Sequence, residues 1–141
     1  SEALDKIVKR LQGTNDSRKR YEYVLWLAKK LPQMPKELQT EETKVQGCIS
    51  QVYVLGELIE AKVQWQGDSD ALITKGLLSL LIEAFRDLTP EEVIAIDPCF
   101  IEATGLQGSL TPSRANGFLN IFLKMKAQAQ KLSMQASLST K

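Results

Sequence analysis

The stretch that most constrains this chain is a run of apolar residues with no polar face. Leu72, Ile73, Leu77, Leu78, Leu80, Leu81, Ile82, Ala84 and Phe85 fall on almost every side of a helix. A helix that is apolar all round is buried on most sides. The rest of the chain therefore has to supply a wrapping, and this segment, expected to reach about Asp87, becomes the spine of the core. With 141 residues, 43% hydrophobic and 25% charged, the chain has the material for one globular domain of ordinary size. No internal repeat or domain boundary interrupts it, so residues 1–132 read as one domain and residues 133–141 as a polar tail that frays.

The wrapping can be read in order. Residues 1–12 form an amphipathic helix with Leu4, Ile7, Val8 and Leu11 on one face, ended by Gly13. Asn15, Asp16 or Ser17 caps a second helix that runs to about Lys30, with Tyr21, Val24, Leu25, Ala28 and Leu31 at helical spacing. Pro32 and Pro35 stop it, and residues 32–44 make a long polar loop expected to flank Cys48. Residues 50–55 and 61–66 read as strands. In the second, Ala61, Val63 and Trp65 alternate with Lys62, Gln64 and Gln66, as in a strand with one face on a core. The residues between them, 56–60, carry no Asn-Gly or Asp-Gly hairpin signal.

Gly67-Asp68-Ser69-Asp70 closes the sheet and is expected to cap the apolar helix. Thr89-Pro90-Glu91-Glu92 is a capping box with proline at the first helical position. Residues 98–104 read as another short helix, stopped by Gly105. Thr111-Pro112-Ser113-Arg114 opens a last helix to about Leu132, with Phe118, Leu119, Phe122 and Met125 inward. Helices, then strands, then helices is an α+β order: a small antiparallel sheet packed against helices.

Composition removes several functions. Eighteen Lys and Arg against seventeen Asp and Glu give a net charge of +1, without the basic field that nucleic-acid binding needs; Arg18, Lys19, Arg20, Lys29 and Lys30 read as a solvated helix face. No apolar run is long enough to span a bilayer. The polar N-terminus has no signal-peptide pattern, so the expected compartment is the cytoplasm, or an organelle or plastid if a targeting segment has been removed. There is no histidine. That removes Ser-His-Asp and Cys-His catalysis and the commonest metal ligand. Two cysteines, Cys48 and Cys99, are too few for a thiolate zinc site or an iron–sulfur cluster within one chain.

Cys48 follows Gly47, which lets the backbone turn sharply, and precedes the first strand. A lone cysteine is most often a small buried hydrophobe. Its context points further. Val45-Gln46-Gly47-Cys48-Ile49-Ser50-Gln51-Val52 resembles the cysteine motif of the SufE family. Two more blocks match in order: Gln66-Gly67-Asp68-Ser69-Asp70-Ala71 with Lys75-Gly76, and Leu110-Thr111-Pro112-Ser113-Arg114 with Gly117. The resemblance extends from about residue 4 to residue 130.

The resemblance implies a SufE/IscU-like two-layer fold and a sulfur acceptor that partners a cysteine desulfurase of the SufS type. Cys48 would take persulfide sulfur from that pyridoxal-phosphate enzyme, stimulate it, and pass the sulfur to an iron–sulfur scaffold of the SufBCD type. The chain itself would hold no cofactor or metal, bind neither nucleic acid nor membrane, and act as a monomer or weak homodimer. Gln46, Gly47, Ser50, Gln51, Asp70 and Arg114 would support the site or bind the partner.

Thiol exchange needs one competent, accessible thiolate and no proton relay, so the absence of histidine is compatible with it. A free thiol of pKa about 8.5 is only a few per cent ionised at neutral pH, so cations must help, and Arg114 is the candidate in this chain. It sits in the first turn of a helix, where the dipole favours acidic residues. The apolar flanks Val45, Ile49 and Val52 suggest a loop that shelters its sulfur. Cys99, outside the matching blocks, reads as packing. From the residues alone, a thiol redox protein or a pure interaction protein with an inert Cys48 remains the alternative; a cluster scaffold would want more ligands.

Overall fold

The computed structural model describes residues 2–139, with side chains of residues 2–138. Two helices, α1 (Glu2–Gln12) and α2 (Ser17–Ala28), precede a hairpin of β1 (Val52–Ile59) and β2 (Lys62–Ser69). The spine helix α3 (Leu72–Ala84), two short helices α4 (Pro90–Ile94) and α5 (Cys99–Ala103), and a long helix α6 (Pro112–Ser139) come after it. Single 3-10 turns occupy Lys36–Leu38 and Leu106–Ser109. This is the expected α+β arrangement.

β1 and β2 pair antiparallel, from Val52 opposite Ser69 to Ile59 opposite Lys62. The strands are longer than their β-rich cores suggest, and the turn lies later than expected. It is Glu60-Ala61, with φ of 51° and 71°. Positive φ at both central residues matches the twist of a tight hairpin, here adopted without glycine and at some local strain. Ala61 is thus a turn residue, not a strand residue. Val52, Val54 and Gly56 of β1 and Val63 and Gly67 of β2 face the core. There α6 packs on β1 and α3 on β2.

Most of the spine is buried as its sequence requires, with Ile73, Leu77, Leu78, Leu80, Leu81 and Ala84 all inside, but Leu72 at its start is 58% exposed. Gly76 explains how closely α2 lies against it. A Cβ at this position would stand 2.1 Å from the Val24 carbonyl oxygen, so only glycine permits this approach. Phe85, Phe100 and Phe122 close the core with tilted and edge-on ring contacts at 5.7–6.1 Å between centroids.

Two caps form as the sequence requires. The Asp16 side chain accepts from the Arg18 N–H at the start of α2, and Thr89 and Glu92 form a reciprocal capping box on α4. Three expectations fail. No side chain caps α3: its N-cap residue is Ala71, because nearby backbone amides take the carboxylates of Asp68 and Asp70. Tyr21 faces solvent, and Leu27 of the same helix turns inward instead. The last helix continues past Leu132 to Ser139. It is held there by contact with α4, including a 2.9 Å bond between Ser133 Oγ and Glu91 Oε1. Thr140 and Lys141 of the expected tail lie outside the described residues.

Candidate functional site

The chain before β1 forms a short rung on its outer edge. The Val45 N–H donates to the Val52 carbonyl at 2.8 Å and the Val54 N–H to the Thr43 carbonyl at 2.9 Å, with Lys44 opposite Tyr53. Residues 46–51 project beyond this rung as a loop, with Cys48 within it. The long segment 32–44 thus meets the site only through its end. Its earlier part is anchored elsewhere by the buried Met34, whose N–H donates to Asp68 Oδ2 at 3.0 Å. Gln128 of α6 continues the edge: Nε2 donates to the Val54 carbonyl and Oε1 accepts from the Gly56 N–H, both at 2.8 Å.

The loop turns at Gly47, whose φ of +80° lies in the left-handed region. Its carbonyl accepts from Asn120 Nδ2 of α6 at 3.1 Å. Cys48 is half-buried, and its thiol points at the Gly117 carbonyl, 3.8 Å away. Next to it, Ile49 is 87% exposed. Cys48, Ile49, Ser50, Thr74, Ser113, Arg114 and Gly117 line a cleft of about 10 Å³, room for roughly one water.

Arg114 and Ser50 meet on a residue that the sequence did not single out. Arg114 Nη1 donates to Thr74 Oγ1 at 2.8 Å, and Ser50 Oγ lies 3.4 Å from the same hydroxyl. Gln51 and Asp70 are joined reciprocally: the Gln51 N–H donates to Asp70 Oδ1 at 3.0 Å and the Asp70 N–H to the Gln51 carbonyl at 3.2 Å. Gln46 is exposed on the loop's rising side. The structure therefore gathers Cys48, Ser50 and Arg114 around one cleft, has Gly47 as the bend and Gln51–Asp70 as the loop's far anchor, and leaves Gln46 at the surface.

Thr74 had one available signal, a hydroxyl inside a mostly apolar helix, which it shares with Ser79. Asn120 had none.

Burial pushes the Cys48 thiol above its ordinary pKa. The Arg114 guanidinium binds Thr74 and not the sulfur, so the resting thiol stays protonated at neutral pH. Cys99 corrects the packing expectation. It is exposed at the start of α5, where Phe100 and Ile101 take the inward positions. Its N–H donates to Asp97 Oδ1 at 2.9 Å, and the Asp97 carboxylate pushes its thiol pKa up. Cys99 opens onto a cleft lined by Leu4, Leu88 and Phe100, which shares no residue with that of Cys48. Among the described residues no group of Cys, Asp and Glu gathers as a metal site, and no helix is long and apolar enough to cross a membrane.

Fold and site together define a class: small α+β domains that present one half-buried cysteine on a loop at a sheet edge. The chain belongs to the SufE family, whose model, described as "SufE: Fe-S metabolism associated domain", matches residues 5–129. It is 56% identical over 126 residues to an uncharacterised SufE-like protein of Synechocystis, covering 89% of this chain and 79% of that one. It is 37% identical to SufE-like protein 1, chloroplastic/mitochondrial, of Arabidopsis thaliana, covering 94% of this chain. It is 40% identical to the cysteine desulfuration protein SufE of Plasmodium vivax, covering 80% of this chain. The chain spans only 36% and 46% of the length of these last two relatives. A hypothetical protein of Thermus thermophilus, solved in solution, superposes with a TM-score of 0.79 at 25% identity, covering 92% of this chain and 94% of that one.

Proposed function

We propose that Cys48 is a sulfur acceptor for a cysteine desulfurase of the SufS type. The Cys48 thiolate attacks the terminal sulfur of the enzyme's cysteine persulfide. A new S–S bond forms on Cys48, the enzyme's own S–S bond breaks, and its cysteine leaves as a thiolate. No electrons are gained or lost overall. By drawing sulfur off, the chain stimulates the desulfurase, whose pyridoxal phosphate stays with that enzyme. The same exchange, repeated with an acceptor thiolate, delivers sulfur to an iron–sulfur scaffold of the SufBCD type.

The observation that carries this reading is the place of Cys48, half-buried on a loop bounded by the Val45–Val52 rung, in a chain whose residues 5–129 match the family's model. The name of the Plasmodium vivax relative, cysteine desulfuration protein SufE, supports the desulfurase link. A thiol kept protonated by burial is a poor nucleophile at rest, which protects it from stray oxidants; cations that ionise it come with the docked partner. Beside Cys48 the loop's exposed residues face solvent. Gln46, Ile49 and Gln51 then belong to the surface that meets the desulfurase.

Mass spectrometry of the protein after incubation with a cognate desulfurase and cysteine tests the reading. One added sulfur on the Cys48 peptide, removed by reductant and absent from Cys48→Ser, is expected. A folded protein that stimulates the desulfurase without ever gaining sulfur would overturn it.

A further inference from the structure

We infer that Asn120 is a positioning residue for Cys48: its side-chain amide is a clasp that holds the cysteine loop closed against α6. The inference rests on the sulfur-acceptor reading for its purpose, though not for its geometry.

The loop meets α6 at two places one helical turn apart. The Cys48 thiol donates to the Gly117 carbonyl at 3.8 Å, a weak bond because sulfur is a poor donor. Asn120 Nδ2 donates to the Gly47 carbonyl at 3.1 Å, the stronger of the two. A carbonyl accepts and never donates, so the amide nitrogen must face it.

Gly47 and Asn120 are also fitted to each other. A Cβ on residue 47 would lie 2.6 Å from Asn120 Nδ2, inside any permitted contact. The left-handed bend and the absent side chain at Gly47 thus leave the space that the amide fills.

Other polar contacts near the loop lie on its far side and leave the bend untouched. Ser50 joins Thr74, and Gln51 joins Asp70. Both precede the strand and hold the descending limb. Only the Asn120 amide among the described hydrogen bonds grips the loop before Cys48. Losing it leaves the thiol's own weak bond as the sole polar contact between the loop and α6 among the described residues. A single neutral hydrogen bond shifts an open–closed equilibrium by roughly three- to tenfold, enough to set how often the sulfur is presented without holding it shut.

The test compares Asn120→Leu, which keeps size and removes the donor, with Asn120→Asp, which sets a carboxylate against the carbonyl. Each is treated with iodoacetamide, and the Cys48 and Cys99 peptides are quantified separately. Cys99, already exposed, reports general loosening. The expected result is a roughly three- to tenfold faster Cys48 reaction in both variants, with the Cys99 rate unchanged and the thermal midpoint lowered by no more than a few degrees.

Unchanged Cys48 rates would overturn the clasp, and so would equal acceleration at both cysteines. Sulfur loading from a desulfurase is read in parallel. If wild-type Cys48 never gains sulfur, the acceptor reading fails while the alkylation rates still decide the clasp. If Cys48 gains sulfur in wild type and variants alike at equal alkylation rates, the clasp alone fails.

Discussion

Arg114 and Thr74 are joined by a 2.8 Å hydrogen bond between a guanidinium and a hydroxyl of a residue only 4% exposed, linking the first turns of α6 and α3 beside Cys48. Hydrogen bonds to charged groups contribute about 1.5–3 kcal/mol. Thr74→Val keeps the shape and removes the acceptor. The expected loss is about 1–3 kcal/mol of unfolding free energy, measured as a lower denaturant midpoint at unchanged slope. A midpoint equal to wild type would mean that water replaces Thr74 as the acceptor.

The reactivity of Cys48 should keep climbing with pH beyond the range of a free thiol. Its folded pKa is raised by burial, so the thiolate fraction is smaller than ordinary at every pH below that value. An alkylation profile in a Cys99→Ser background should have its midpoint above the usual value of about 8.5. The linked stability has a definite sign. The folded state binds this proton more tightly, so the contribution is fully present below the unfolded thiol pKa and is lost as pH rises through the raised folded value. A plateau below pH ~8 would contradict both statements.

Gly76→Ala should be among the most damaging single-methyl additions available in this chain. The new Cβ meets a backbone oxygen at 2.1 Å, which no rotamer change can relieve, so α2 must back away from the spine. Overpacking of this kind costs about 1–3 kcal/mol and occasionally more; the upper end is expected. Equilibrium denaturation measures it, and a loss under about 1 kcal/mol would show that the two helices separate easily.

Gln128→Leu should loosen the sheet edge from a distance. It strands the Val54 carbonyl and the Gly56 N–H, both in buried residues of β1. Each unpaired buried group costs about 1–3 kcal/mol, so a total of about 2 kcal/mol or more is expected. Amide hydrogen exchange gives the local readout: Gly56 should lose protection first. Uniform loss across the chain would point to global destabilisation alone.

The features legible in the sequence had local causes. The apolar wrap of residues 72–85 required a buried helix. Thr89 and Glu92 stand at the spacing of a capping box. Gly47-Cys48 within its motif located the loop thiol. The misreadings arose where distant backbone intervened. Asp68 and Asp70 look like caps, yet the amides of Met34 and Gln51 claim them. Glu60-Ala61 turns without glycine because the strand pairing on either side enforces it. Asn120 reaches a carbonyl 73 residues earlier in the chain, a relation that no local spacing encodes. Cys99 reads as packing because a lone cysteine is usually a small buried hydrophobe, but at the start of α5 it is Phe100 and Ile101 that turn inward.

The rung between Val45 and Val52 also sets a length scale. With both residues pinned by hydrogen bonds, the chain that carries Cys48 is a short tether fixed at each end. Cys48 lies three residues from Val45 (48 − 45), and an extended chain spans ~3.3–3.6 Å per residue. The sulfur can therefore travel roughly 10 Å from its anchor while the sheet stays intact. On the proposed acceptor reading, any donor must bring its own sulfur inside that radius, which makes the transfer a short-range hand-over between docked surfaces and not a long swinging arm.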